Sequence, residues 1–229
     1  MKILITGATG FIGSFIVEEA LKRGMDVWAA VRPTSSRKYL PDPRTNFIEL
    51  DLADPARLRQ QLGGHRFDCV VHAAGATKCT CKDEFRRTNT LGTKHLADAL
   101  TALGMPLRRF VFISSLSVMG PVREQEPHTD ITATDTPRPD TAYGRSKLEA
   151  ERYLDSLKGL PVVTLRPTGV YGPRERDYFM MVKSIARHTD FAAGLRPQDL
   201  TFIYVKDLVQ AVFLAIERGR TGAKYLLSD

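Results

Sequence analysis

Cysteine is scarce in this chain, three residues in 229, and tryptophan occurs once. Cys69, Cys79 and Cys81 are too few for a disulfide framework, and no second Cys or His pair stands at zinc-ligand spacing from Cys79-x-Cys81. The expectation is therefore no metal site and reduced thiols, as in a cytoplasmic protein. No apolar run approaches the ~20 residues of a membrane-spanning helix. The Lys-then-apolar start resembles a signal peptide only superficially, because Glu18-Glu19 follows and no small-residue cleavage site does. Internal repeats and low-complexity tracts are missing. A basic stripe with interleaved aromatics is missing too: Lys and Arg exceed Asp and Glu by 33 to 26, a net charge of +7, but they are scattered. That pattern reads as a solvated surface and excludes a nucleic-acid face, although some of the charge suits a phosphorylated small molecule.

What is present is an ordinary globular composition, 43% hydrophobic and 26% charged, in a chain long enough for one α/β domain. Its organising stretch is residues 1–13, M-K-I-L-I-T-G-A-T-G-F-I-G. Ile3 to Ile5 have the length and branching of a buried parallel strand, and residues 11–23 carry helical apolar spacing. Between them Gly7, Gly10 and Gly13 recur every third residue. Gly7 suits a tight turn, Gly10 lets backbone approach a pyrophosphate, and Gly13 lets helix and strand pack closely. A helix starting there aims unpaired N–H groups and its positive dipole end at phosphates. A glycine triplet alone is weak, but strand before and helix after make it a dinucleotide site.

Further strands are expected over 26–31, 46–50, 68–72, 109–114, 161–166, 200–205 and 224–227. Helices are expected from Asp54-Pro55 and over 82–103, 140–158, 177–188 and 206–217. Residues 121–139 read as one long loop and 167–176 as a Gly/Pro loop. Regular alternation implies an α/β fold, a doubly wound parallel sheet of the Rossmann type. The division expected is a dinucleotide-binding domain over 1–166 and a partial substrate lobe over 167–229, interleaved with the last sheet elements.

The end of the second strand decides cofactor choice. A carboxylate there would bond the ribose hydroxyl of NAD and repel a 2′-phosphate. This chain has Arg32 instead, followed by Thr34, Ser35, Ser36, Arg37 and Lys38, which suits NADP over NAD; the bland alternative is a solvated basic loop. Asp51 either accepts from the adenine amino group or caps a turn. His72 reads as a packed strand residue, and the small run Ala73-Ala74-Gly75 lets backbone pass close to the cofactor.

Tyr143-Gly-Arg-Ser-Lys147 sets a phenol and an ammonium four residues apart on one helix face. A free tyrosine has a pKa of about 10, so work as a base near neutrality needs a lowering of about 3 units, which Lys⁺ and an oxidised nicotinamide can supply.

Taken together, T-G-A-T-G-F-I-G at Thr6 to Gly13, D-L at Asp51-Leu52, H-A-A-G at His72 to Gly75 and N-T-L-G-T at Asn89 to Thr93 form an ordered set. F-I-S-S-L-S-V-M-G at Phe112 to Gly120, Y-G-R-S-K at Tyr143 to Lys147 and R-P-T-G-V-Y-G-P at Arg166 to Pro173 complete it. With these the whole chain resembles the extended short-chain dehydrogenase/reductase family, also called the NAD-dependent epimerase/dehydratase family. The resemblance implies Tyr143 as general acid/base, Lys147 on the nicotinamide ribose, and Ser115 on the reacting substrate oxygen. Asn89 corresponds to a residue that supports the lysine through water, or else it is purely structural. Cofactor contacts are implied for Gly7, Thr9, Gly10, Phe11 and Ile12 at the phosphate turn, for Arg32, Asp51 and Leu52 at the adenosine end, and for Ala73, Ala74, Gly75, Pro167 and Val170. Thr77, Ser117, Arg174 and Tyr178, with Tyr204, are candidates for substrate contact. Family members continue past Leu227-Ser228-Asp229 into helices closing the substrate site, so the lobe here is expected to be small and truncated.

The function implied is an NAD(P)-dependent oxidoreductase, epimerase or dehydratase acting on a hydroxyl or carbonyl of a nucleotide sugar or similar small molecule. The alternatives are an NADPH-dependent carbonyl reductase of dihydroflavonol or steroid type, and a non-catalytic dinucleotide-binding sensor. Residues 82–103 and 140–158 carry more apolar positions than one sheet face needs. With the family's habit, this implies a homodimer through those two helices. Neither nucleic acid nor membrane is expected as a partner.

Overall fold

The computed structural model describes residues 1–121, 130–188 and 200–229. Its strands are β1 (Lys2–Thr6), β2 (Asp26–Val31), β3 (Asn46–Glu49), β4 (Cys69–His72), β5 (Arg109–Ile113), β6 (Val162–Pro167), β7 (Gly169–Tyr171), β8 (Phe202–Tyr204) and β9 (Lys224–Leu227). Seven of them form one sheet in the order β3-β2-β1-β4-β5-β6-β9, every pairing parallel. Alternate residues of each strand serve opposite layers, as strand geometry requires. Ile3 and Ile5 of β1, with Val71, Val111 and Val163, pack under α1 (Phe11–Lys22) and α7 (Val205–Arg218). Leu4, Val70, Phe110 and Phe112 face the other layer, α2 (Pro55–Leu62), α4 (Gly92–Ala102) and α5 (Ala142–Ser156). Covered on both faces, the central strands are almost wholly apolar, which is why they read as continuous hydrophobic runs.

Local sequence sets the helix ends. Asp54 caps α2, accepting from Ala56 N at 3.0 Å and Arg57 N at 3.1 Å, with Pro55 at the first helical position. Thr141 caps α5 by accepting from Gly144 N. α6 (Asp177–Ala186) follows the β7 region.

Three expectations need correction. The helix expected over 82–103 is divided: α3 (Lys82–Phe85) passes into a π-helical segment, Arg86–Leu91, before α4 begins. The Gly/Pro loop over 167–176 contains β7, and β8 pairs with β7 in a separate two-stranded parallel sheet instead of extending the main one. Apolar periodicity alone could not distinguish these pairings. Finally, in the 82–103 and 140–158 helices Leu96, Ala97, Ala99, Leu100, Ala150 and Leu154 are buried in the core. Their outward faces carry polar pairs, Arg86–Glu149 and Tyr153–Asp98, and none of the large exposed apolar residues lies on them. Part of the 121–139 loop, residues 122–129, lies outside the described residues.

Candidate active site

All seven strands of the main sheet end at one edge, and a crevice of about 1780 Å³ runs along it. Its floor is made by strand ends: Thr6-Gly7, Val31-Arg32, Ala73-Ala74, Ile113 to Ser115, and Pro167. The order reverses between β1 and β4, the switch point at which open parallel sheets receive ligands.

At that point Gly7 has φ +67°, and a Cβ there would lie 2.6 Å from Ala73 O. A Cβ on Gly13 would lie 2.1 Å from Gly7 O, so only glycine lets the first turn of α1 settle on the loop. Gly10, the N-cap of α1, contributes no side-chain acceptor, and no acid stands in the first turn. The early N–H groups of α1, with Thr9, Phe11 and Ile12, therefore face an open phosphate-sized space. Gly75 is a second cradle: a Cβ there would crowd Asn89 Oδ1 and Lys147 Nζ, both 3.1 Å away. The cleft thus has the donors and the clearance that a dinucleotide needs.

At the adenosine end Arg32, Asp51 and Leu52 line the crevice. Asp51 accepts from Ala53 N at 2.9 Å and stands 3.9 Å from Arg57, so it caps a turn while facing the cleft. The turn-capping reading of that residue is the one its contacts show. Arg37 turns onto the Phe47 ring at 4.3 Å.

At the other end Ser115, Ser117, Tyr143, Lys147, Thr77, Val170 and Tyr178 line the crevice. Ser115 Oγ takes Ser117 N–H at 3.1 Å and hydrogen-bonds the Tyr143 phenol. Burial pushes Tyr143 above the usual tyrosine value; Ser115 opposes the rise and Tyr178 adds to it. Lowering by Lys147, the sequence expectation, is not what the protein's own charges produce. Lys147 is buried, donates to Ile113 O at 2.8 Å, and sits 4.9 Å from the Phe112 ring centre. Burial pulls it down to about 8, while Glu151 one turn later holds it up.

Asn89 is fully buried on the π-helical segment. It accepts from Ala76 N at 2.7 Å and donates to Ala76 O and Ser146 Oγ, each at 3.0 Å. Both amide protons are committed, so Asn89 clamps the 75–76 backbone to α5, beside Lys147 rather than on it. His72 lies beneath, its Nδ1 2.7 Å from Thr6 Oγ1 and its Nε2 2.9 Å from Thr93 Oγ1. Because Thr93 gives its proton to Asn89 O at 2.6 Å, it takes the Nε2 proton of His72. Burial, with the Lys147 charge, pushes His72 down to about 3, so the ring is a neutral spacer.

Of the substrate candidates, Arg174 departs from expectation. Its guanidinium donates to Ser14 Oγ at 2.8 Å and to Glu18, tying the loop before α6 to α1. Tyr178 faces the Tyr143 end, and Tyr204 stacks on Tyr171 at 5.5 Å. Sequence reasoning missed a buried network: Glu151 accepts from Ser114 Oγ at 2.5 Å and from Arg166 at 3.1 and 2.6 Å. Its signal was a glutamate four residues beyond Lys147 on the same helix face. Thr168 Oγ1, at the crevice wall, is buried without a partner among the described residues. No cluster able to hold a metal occurs among the described residues. No helix there is long and apolar enough to cross a membrane.

Against known proteins, the profile of the NAD dependent epimerase/dehydratase family matches residues 3–227. Sterol demethylase protein B of Methylococcus capsulatus is 28% identical over the whole chain, which spans 70% of that relative. A protein of Bacillus subtilis named as an uncharacterized UDP-glucose epimerase is 31% identical over 93% of the chain, spanning 71% of that relative. Among solved structures, the Bordetella bronchiseptica enzyme WbmH in complex with NAD+ superposes with a TM-score of 0.81 at 30% identity, over all of this chain and 75% of that one.

Proposed function

The chain belongs to the NAD dependent epimerase/dehydratase family, and from that premise we propose that it is an NAD(P)-dependent enzyme redoxing a hydroxyl-bearing carbon of a nucleotide sugar. One observation carries the reading. Ser115, Tyr143 and Lys147 converge at one end of a crevice whose middle is the uncapped amino end of α1. The likeness to a protein named as a UDP-glucose epimerase supports the sugar-nucleotide class.

The Gly7 to Ile12 turn would hold the phosphates of the cofactor, and Gly75, Lys147 and Pro167 would hold its nicotinamide half. When bound, that group supplies hydride acceptance and return. Ser115 orients the substrate oxygen by hydrogen bonding and Tyr143 moves the proton at that same oxygen. Raised by burial, Tyr143 is a ready acid; its work as a base depends on the cations brought near it. Lys147, pulled down to about 8 and still mostly protonated at neutral pH, donates to Ile113 O and would give its remaining hydrogen bonds to ribose hydroxyls. Arg32, where a carboxylate marks NAD, supports NADP as the cofactor.

Tyr143→Phe tests the reading. With UDP-glucose and UDP-galactose as probes, turnover should fall about 100- to 10,000-fold while dinucleotide affinity is kept, because a proton carrier is lost and little volume. Retained turnover would remove Tyr143 from the chemistry.

A further inference from the structure

We propose that Glu151, gripped by Ser114 and Arg166, is a positioning residue: it seats α5 against the ends of β5 and β6 and so sets where Tyr143 and Lys147 stand relative to Ser115. The inference rests on the roles given to those three residues above. Neither Glu151 nor Arg166 lines the crevice, so both act through others.

Tyr143, Lys147 and Glu151 recur every fourth residue on α5 and form one stripe along the helix. That stripe is held to the strand ends at three levels. At its amino end a Cβ on Gly144 would lie 2.3 Å from Ser117 O, so the helix backbone rests directly on the turn that follows Ser115. In the middle Lys147 donates to Ile113 O at 2.8 Å. At the far end Glu151 accepts from Ser114 Oγ at 2.5 Å and from Arg166 Nε and Nη2 at 3.1 and 2.6 Å. Ile113 pairs with Leu165, and Ser114 N donates to Leu165 O at 2.8 Å, so Ser114 and Arg166 stand side by side on neighbouring strands. Arg166 Nη1 also reaches Met119 Sδ at 3.2 Å, just beyond the short helical turn Leu116–Val118. Ser115 is thus bracketed. The residue before it is tied to Glu151, and the turn after it is braced by the arginine that Glu151 holds.

Stability alone does not call for such a device. A buried ion pair gains little over apolar residues of similar volume, because desolvation offsets its attraction. What charge adds is direction: three charge-assisted bonds fix the carboxylate, and through it the helix, where apolar packing would tolerate sliding. A displacement of about 1 Å at a reacting group costs about 100-fold in rate. The same carboxylate also faces Lys147 from one turn away. The other titratable groups around that ammonium are Tyr143 on α5, His72 on β4 and, behind Glu151, Arg166 on β6. His72 is neutral, so Glu151 supplies the negative charge that opposes the pull of burial on Lys147.

The test reads kcat and KM against pH with UDP-glucose and UDP-galactose, at a temperature where circular dichroism shows every variant folded. Beside it, NMR of isotope-labelled lysine follows the titration of Lys147, whose signal is identified by its loss in Lys147→Arg. Glu151→Gln leaves Arg166 uncompensated, so kcat should fall about 100-fold with KM kept within about 3-fold. The Lys147 midpoint, about 8 in wild type, should fall by about one pH unit in that variant. Ser114→Ala keeps both charges, so kcat should fall about 10-fold with the midpoint unmoved, and Ser114→Thr should restore most of the loss. Glu151→Leu with Arg166→Met separates seating from packing: it should melt near wild type yet keep a loss of about 100-fold in kcat. Wild-type kcat in that double variant would overturn the inference. So would lower melting temperatures in Glu151→Gln and Ser114→Ala with kcat and the Lys147 midpoint unchanged. If wild type turns over neither sugar nucleotide, the functional reading falls and the titration decides here: a midpoint that falls in Glu151→Gln upholds the seat, and an unmoved one overturns it as well.

Discussion

Replacing Glu151 by glutamine removes one charge and almost no volume, which isolates the electrostatics of the buried network. The Glu151 side chain is 1% exposed and its Arg166 partner 4%, so water cannot take over. Arg166 donates to Oε1 at 3.1 Å and to Oε2 at 2.6 Å, and Ser114 adds a bond at 2.5 Å. In Glu151→Gln the guanidinium stays buried without a counter-charge, and one carboxylate oxygen becomes an amide NH2 facing donors. Breaking one side of a buried pair costs about 3–5 kcal/mol. For a chain of this size each kcal/mol lowers the melting temperature by about 2–4 °C, so a drop of about 6–20 °C is expected. Arg166→Met should cost a similar amount. The double replacement Glu151→Leu with Arg166→Met should return to within about 2 kcal/mol of wild type, since an apolar pair of matched volume replaces a desolvated ionic one. Thermal unfolding of wild type, Glu151→Leu, Arg166→Met and the double variant closes the cycle, with Glu151→Gln measured beside them. A Glu151→Gln protein melting within about 2 °C of wild type, or a double variant as unstable as the sum of the singles, would refute the reasoning.

Two other expectations concern the nucleotide end. Gly13→Ala puts a methyl group 2.1 Å from Gly7 O and 2.9 Å from Ala8 Cα, all backbone, and should cost about 3 kcal/mol or more and abolish NADH binding. Gly64→Ala, with nothing within 4 Å, is the neutral control in the same melting and binding measurements. For His72, the folded value of about 3 lies below the ordinary imidazole value of 6.5, so the unfolded chain binds a proton that the folded one refuses. Its contribution is complete above about pH 6.5 and drains away as pH falls towards 3. Urea midpoints against pH should slope downward there, and His72→Phe should flatten that slope.

The sequence made the sheet legible because its strands are buried on both faces. Runs such as Ile3 to Ile5 and Phe110 to Ile113 need no partner to be recognised, and the Gly7-Gly10-Gly13 spacing states its own backbone requirement. Tyr143 and Lys147 were legible for a similar reason, a fixed spacing on one helix face. What stayed hidden depends on contacts between distant residues. The β7–β8 pair joins segments some thirty residues apart by backbone bonds that carry no composition signal. The π-helical widening around Asn89 is fixed by Ala76, Ser146 and Thr93, and the ionisation of Tyr143 by burial that a linear spacing cannot express. Arg174 and Arg176 look interchangeable in the chain, yet among the described residues only Arg174 meets a carboxylate.

The small β7–β8 sheet gives the crevice two walls of separate construction. Proton-handling groups stand on the end of β5 and on α5, which is anchored to the main sheet through Lys147 on Ile113 O and to the π-helical segment through Ser146 on Asn89. Tyr178 and Val170 look across from α6 and the small sheet, which is paired within itself and joined to the chain after β9 by Asp229 N to Phe202 O at 3.0 Å. Replacing residues on that second wall reshapes the space offered to a guest while the acid, the hydroxyl and the ammonium keep their stations, so new guests are reached by remodelling one wall and leaving the other as it stands.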